Sequence, residues 1–129
     1  MALYYYAKKC DRSFDDVLVQ LITTFEQEGF VVVSRTDIQN LLSERLGVDI
    51  RRYVIFSVIH PTLAYRAILA EYATGSVIAT NVIVQEDLES SIEVTAVDPV
   101  SIGTEHTSPE LREVISRLGK SIERIFSSI

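Results

Sequence analysis

Cysteine, histidine, proline, glycine and positive charge are all scarce in this chain. One Cys, two His, three Pro and five Gly stand among 129 residues. The single thiol, Cys10, excludes an internal disulfide, and no CxxC or Cys/His cluster offers zinc ligands. The pattern therefore calls for no metal and no cofactor, and a reducing cytoplasm is the expected compartment. Lys and Arg number 12 against 18 Asp and Glu, for a formal charge of −6. That balance excludes a nucleic-acid coat or an anionic-membrane binder, which need surplus cations to displace counterions from phosphate.

Long apolar runs are missing too. The longest stretch without a charged side chain, Tyr72 to Gln85, is broken by Thr74, Gly75, Ser76, Thr80 and Asn81. It falls well short of the roughly 20 apolar residues that span a bilayer. The N-terminus runs Met1-Ala2-Leu3-Tyr4-Tyr5-Tyr6-Ala7 before Lys8-Lys9, the wrong order for a secretion signal. With 47% apolar and 23% charged residues in 14.5 kDa, the chain is expected to form a single acidic domain over residues 1–129.

Patterning predicts the elements in order. Tyr-rich Leu3 to Ala7 reads as a strand. Ser13 caps a helix with Asp15 and Asp16 in its first turn, a stripe of Val17, Leu18, Leu21, Ile22 and Phe25, and a stop at Gly29. Phe30 to Ser34 reads as a buried strand. Thr36 and Gln39 form a capping box before a short helix with Ile38, Leu41, Leu42 and Leu46, closed by Gly47. Tyr53 to Ile59 is a strand that is apolar on both alternations, and Pro61 opens a third helix with Leu63, Ala64, Ala67 and Ile68 inward. A turn at Ala73 to Ser76 follows, then strands at Val77 to Glu86 and Ser91 to Val97 form a hairpin. Ser108-Pro109-Glu110 starts a last helix whose stripe runs from Leu111 to Ile129, with Arg112, Glu113, Arg117, Lys120 and Arg124 on its solvated face.

The order β-α-β-(α)-β-(α)-β-β-α, with a closing hairpin and short middle helices, predicts an α+β fold of two layers. A mostly antiparallel sheet would be covered on one face by helices. The second face, with tyrosines, Ile55, Ile83, Asn81, Gln85, Glu93 and Thr95, is too apolar for solvent and too polar for core. A homodimer interface or a ligand cleft is its expected use.

Phe14 and the helix ending Glu28-Gly29-Phe30, the segment Tyr53-Val54-Ile55-Phe56-Ser57-Val58-Ile59-His60-Pro61, Gly75, Val82-Ile83-Val84 and Val97-Asp98-Pro99 together resemble a known family. It is the bacterial and archaeal family named domain of unknown function 302, and the resemblance spans about Tyr5 to Gly103. It implies a β-α-β4-α fold, TATA-binding-protein-like in architecture only, a dimer, and no established activity. Many relatives place a Cys-Asn pair before the proline of the third helix and a Pro-Cys pair in the next strand. Here those positions hold Ile59-His60 and Ala79-Thr80, so no thiol or redox role is carried over.

His60, Thr80, Asn81 and Thr95 are the candidate ligand-binding residues. His60 precedes a helix N-terminus, where backbone N–H groups can hold an anion. The competing reading is a histidine bonded to local backbone. Tyr4, Tyr5, Tyr6 and Tyr53 are the candidate dimer contacts, against plain edge-strand packing. Cys10, His106 and the acidic link Glu86-Asp87-Glu89 read as an incidental thiol, a solvated loop residue and a solvated hairpin tip. Three functions follow as expectations. The first is a homodimer binding a small ligand or protein partner on the semi-polar face. The second is a hydrolase- or isomerase-type enzyme with His60 as general base and Asn81 or Thr80 orienting substrate. The third is a purely structural assembly module.

Overall fold

Side chains that alternate along five strands, with every second one driven inward, set the architecture. The computed structural model describes residues 5–74, 78–101 and 108–129. Tyr4, the turn at Gly75 and Ser76, and His106 lie outside them. The strands are β1 (Tyr5–Cys10), β2 (Val31–Asp37), β3 (Tyr53–Ile59), β4 (Ala79–Glu86) and β5 (Ile92–Val97). The helices are α1 (Phe14–Gln27), α2 (Ile38–Leu46), α3 (Pro61–Ala70) and α4 (Pro109–Ser128). The strands form one sheet in the order β1-β5-β4-β3-β2, and every neighbouring pair is antiparallel.

The fold is thus the expected α+β arrangement. Val54, Phe56 and Val58 of β3, Val82 and Val84 of β4, and Ile92, Val94 and Ala96 of β5 point to one side. There they meet Val17, Leu18, Leu21 and Phe25 of α1, Leu63, Ala64 and Ala67 of α3, and the stripe of α4 from Leu111 to Phe126. Burying each of the larger side chains contributes about 1.5–3 kcal/mol. Cap signals work as local chemistry dictates. The Ser13 hydroxyl accepts from the Asp16 N–H at 3.2 Å, and the Ser108 hydroxyl from the Leu111 N–H at 3.2 Å.

Four expectations are corrected. First, β2 is not a buried strand but an edge strand, and a bulge at Val33 breaks its register with β3; only Val32, next to buried Phe30, packs on the core. A bulged edge resists pairing with a stray strand. Second, α2 is capped by Asp37, whose Oδ1 accepts from the Asn40 N–H at 3.0 Å, not by Thr36. Gln39 instead donates to the Ile50 carbonyl at 3.0 Å. No residue of α2 is buried, and Leu46 is 69% exposed, because α1, α3 and α4 already fill the core side of the sheet. Third, Ile68 of α3 is exposed and Ile59, at the end of β3, packs against the core. Fourth, β1 runs on through Lys8 and Lys9. Lys8 turns its ammonium to the Phe126 carbonyl at 3.1 Å, in the last turn of α4, where the helix dipole favours a cation.

One polar cluster ties the first strand to the last helix. The Tyr6 hydroxyl lies 3.2 Å from Asp98 Oδ2 and 3.3 Å from the Gly119 carbonyl, and shares its proton between them. A Cβ on Gly119 would stand 3.1 Å from Asp98 Oδ1, so a larger residue there would press on the Asp98 side chain. Burial, and then the Asp98 charge and hydrogen bond, push the Tyr6 phenol up to about 12 from its ordinary 10. A raised phenol holds its proton more tightly in the folded chain. Its contribution is complete below pH 10 and is lost as pH rises from about 10 to about 12. Tyr6→Phe should cost about 1–2 kcal/mol at pH 8 in urea unfolding. The gap to wild type should shrink between pH 10 and 12, and an unchanged gap at pH 12 would refute the assignment.

Candidate functional site

The alternation that fills the core leaves the other side of the sheet without helices from α1, α3 or α4. Strand register places Thr36, Ile55, Ile83, Thr95 and Ala7 in one row across all five strands on that open side. A second row joins Tyr53, Gln85, Glu93 and Lys9. Ser57 and Asn81 face each other across β3 and β4, and the serine hydroxyl donates to Asn81 Oδ1. Tyr5, paired with Val97, is 63% exposed at the rim.

The part of this face on β3, β4 and β5, with Tyr5 of β1, lines a shallow cavity of about 420 Å³. Ile55 and Ile83 supply apolar surface, Tyr5 and Val97 line the β1 side, and Asn81, Gln85, Glu93 and Thr95 supply hydrogen-bonding groups. The lining holds one carboxylate and no imidazole, thiol or ammonium. Such a surface can bind and orient, but offers no nucleophile paired with a base. Among the described residues no group of three His, Cys, Asp or Glu is placed to hold a metal ion.

The candidate residues separate. Asn81, Thr95, Tyr5 and Tyr53 share the open side. Thr80 does not: adjacent strand residues point opposite ways, and Thr80 is buried toward the helices beside Val82 and Val84. Tyr6 likewise faces inward, with its ring 6.0 Å from that of Phe126, so it is no contact for the open face. His60 caps α3, its Nδ1 accepting from the Leu63 N–H at 3.3 Å, which matches the local-backbone reading. Its ring lines a different cleft, on the helix side, with Thr62 and Arg66. The enzyme constellation of His60 with Asn81 or Thr80 is therefore not assembled in one cavity.

The remaining candidates also find their places. Cys10 is buried in the core. Asp87 turns the β4–β5 link, its Oδ1 accepting from the Glu89 and Ser91 N–H groups at 2.8 and 3.0 Å. Burial raises its carboxyl, but those two hydrogen bonds and the Lys9 ammonium outweigh it and hold the carboxyl below the usual range. Glu86 pairs with Arg51 at 3.3 Å. Sequence reading missed one grouping: Arg117, Lys120 and Arg124, assigned to a solvated face, line the His60 cleft together with Arg66. Their i, i+3, i+7 spacing marked them as one face of α4, but only the tertiary fold brings α3 beside it.

Gly29 sets the position of His60. Its φ of +94° is open to glycine, and a Cβ there would stand 3.0 Å from His60 Nε2. Gly29→Ala should cost about 1–3 kcal/mol in urea unfolding and shift the His60 ring resonances. Wild-type stability together with unmoved resonances would show that the ring does not depend on this glycine.

Comparison with known proteins adds the family. No curated protein matches the chain. Its fold is similar to that in a crystal structure of an uncharacterized conserved protein DUF302 from Bacillus stearothermophilus. The TM-score is 0.87 at 20% identity, over 98% of each chain. At that identity the likeness speaks for the fold alone. The family described as "Domain of unknown function DUF302" matches residues 6–129, and with nearly the whole length covered the chain belongs to that family.

Proposed function

We propose that the open sheet face is the working surface, and that it closes against the same face of a second copy to make a homodimeric binding domain. The observation that carries this reading is charge. The whole chain stands at −6, yet the strand residues of this face carry one cation, Lys9, and one carboxylate, Glu93. A face without net charge is where an acidic chain can meet itself without repulsion.

Size supports the same reading. Five strands about 4.8 Å apart, of six to eight residues at about 3.4 Å each, present about 500 Å² in projection. Side-chain relief brings the accessible area toward the roughly 800 Å² per partner of a standard interface. Ile55, Ile83, Val97 and Tyr5 supply the apolar and aromatic centre that such interfaces need. The cavity they line with Asn81, Gln85, Glu93 and Thr95 becomes a pocket for a small molecule of mixed polarity between the two copies. The lone buried thiol of Cys10 suits a reducing cytoplasm, and among the described residues no helix is long and apolar enough to cross a membrane.

Size-exclusion chromatography with light scattering should find about twice 14.5 kDa at micromolar concentration. Ile83→Glu should halve that mass while circular dichroism stays unchanged. A wild-type monomer under those conditions would overturn the reading. A thermal-shift screen of metabolites, with Asn81→Ala as control, then separates a binding dimer from a purely structural one, which no small molecule would stabilise.

A further inference from the structure

The helix side carries a second concavity, independent of the open face. Between the end of α1, the first turn of α3 and the middle of α4 lies a cleft of about 400 Å³. Arg66, Arg117, Lys120 and Arg124 line it, and Glu28 is its one acid. A third of the chain's 12 cations thus gather in one cleft of a protein whose formal charge is −6. Nothing in the packing of the core requires this, because none of the four side chains joins the buried cluster.

The neighbouring acids leave a surplus. Arg66 pairs with Glu110 and Glu113 at 2.9 and 3.3 Å, Arg117 with Glu113 at 3.3 Å, and Arg124 with Glu28 at 3.2 Å. Three carboxylates thus pair with three of the four cations, and among the described residues no ion pair engages Lys120. These pairs are solvated and weakly held, so an incoming anion can take over the donors.

Neutral donors point the same way. Ser121, only 8% exposed, accepts from Arg124 Nη2 at 3.1 Å, which leaves its own O–H proton to give. At the start of α3, Pro61 has no N–H and His60 Nδ1 takes that of Leu63. The Thr62 N–H, in the first turn, has no acceptor within the helix, and Thr62 lines the cleft.

We infer that this cleft binds a small phosphate monoester. Its tetrahedral, doubly charged head matches the point charge of Lys120, the guanidinium of Arg117 and the Ser121 and Thr62 donors. At about 400 Å³ the cleft is larger than a phosphoryl group fills. The remainder takes a short organic part, with Leu63 as its apolar contact.

Calorimetry at low ionic strength with glycerol 3-phosphate, inorganic phosphate and glycerol tests this. The ester should bind saturably at one site per chain, inorganic phosphate more weakly, and glycerol not at all. Amide shifts should cluster at Thr62, Leu63 and Lys120 to Arg124. Lys120→Glu should weaken the ester by about tenfold or more. Lys120 is exposed, so its fold should survive, and Arg117→Ser provides a second variant if it does not. Absence of saturation by the ester, shifts elsewhere, or equal binding by both variants and wild type would overturn the proposal. Inorganic phosphate binding as tightly as glycerol 3-phosphate would overturn the ester assignment.

Discussion

Four rings in edge-on contact run from the centre of the sheet to the start of α3. Phe56 of β3 meets Phe25 of α1 at 6.0 Å, Phe25 meets Phe30 at 5.2 Å, and Phe30 meets His60 at 5.3 Å, with interplanar angles from 83° to 89°. Such pairs contribute about 0.5–1.5 kcal/mol each beyond the area they bury. Phe25 and Phe56 are wholly buried, so neither ring can shift without opening a cavity. The chain of rings fixes where α1 ends, how the chain turns through Gly29 into β2, and where His60 stands to cap α3. The helix layer inherits its placement from this contact.

That layer covers one side of a two-sided sheet. Apart from Ile59, the odd-numbered residues of β3 to β5 face away from it, and Tyr53, Ile55, Ile83 and Val97 remain only half-buried. A chain that wanted plain solvent there would carry charged side chains at these positions, as β1 does at Lys9. α2 shows the same surplus, since its leucines find no place in a core already filled by three helices. Apolar surface left over in two neighbouring parts of one fold argues for a common cover.

Much of this was legible beforehand, for physical reasons that vary by element. The order of elements followed from period and punctuation: the 3.6-residue stripe of α4, the Ser108-Pro109 start, the alternation of Val54, Phe56 and Val58. These signals are local, so the chain states them directly. Whether an apolar strand is central or at an edge is not local. Val31 to Val33 read as core because valine favours a pleated surface anywhere, yet β2 ended at the rim. Asp37 stands where Thr36 was read as the cap, one residue further on, because β2 pairs with β3 through Asp37 and the helix starts only at Ile38. The grouping of Thr80 with Asn81 failed on a simpler rule, because neighbours in a strand never share a face.

The two surfaces share no lining residue and are physically separate. Along β3, Val54, Phe56 and Val58 belong to the helix side and Tyr53, Ile55 and Ser57 to the open side, while Ile59 at its end packs against the core. Where β3 ends, that alternation stops, and His60 turns into the helix layer under the hold of Phe30 and Gly29. The charge follows the same division. The strand residues of the open face carry one cation, Lys9, and one carboxylate, Glu93, while the cations of α3 and α4 gather where the helices leave a gap. A face free of net charge suits a partner with the same acidic chain, and a concave, donor-rich gap suits a small anion. One fold therefore presents two chemistries, one on the open face of the sheet and one among the helices that cover its other face, and the packed core between them keeps them apart.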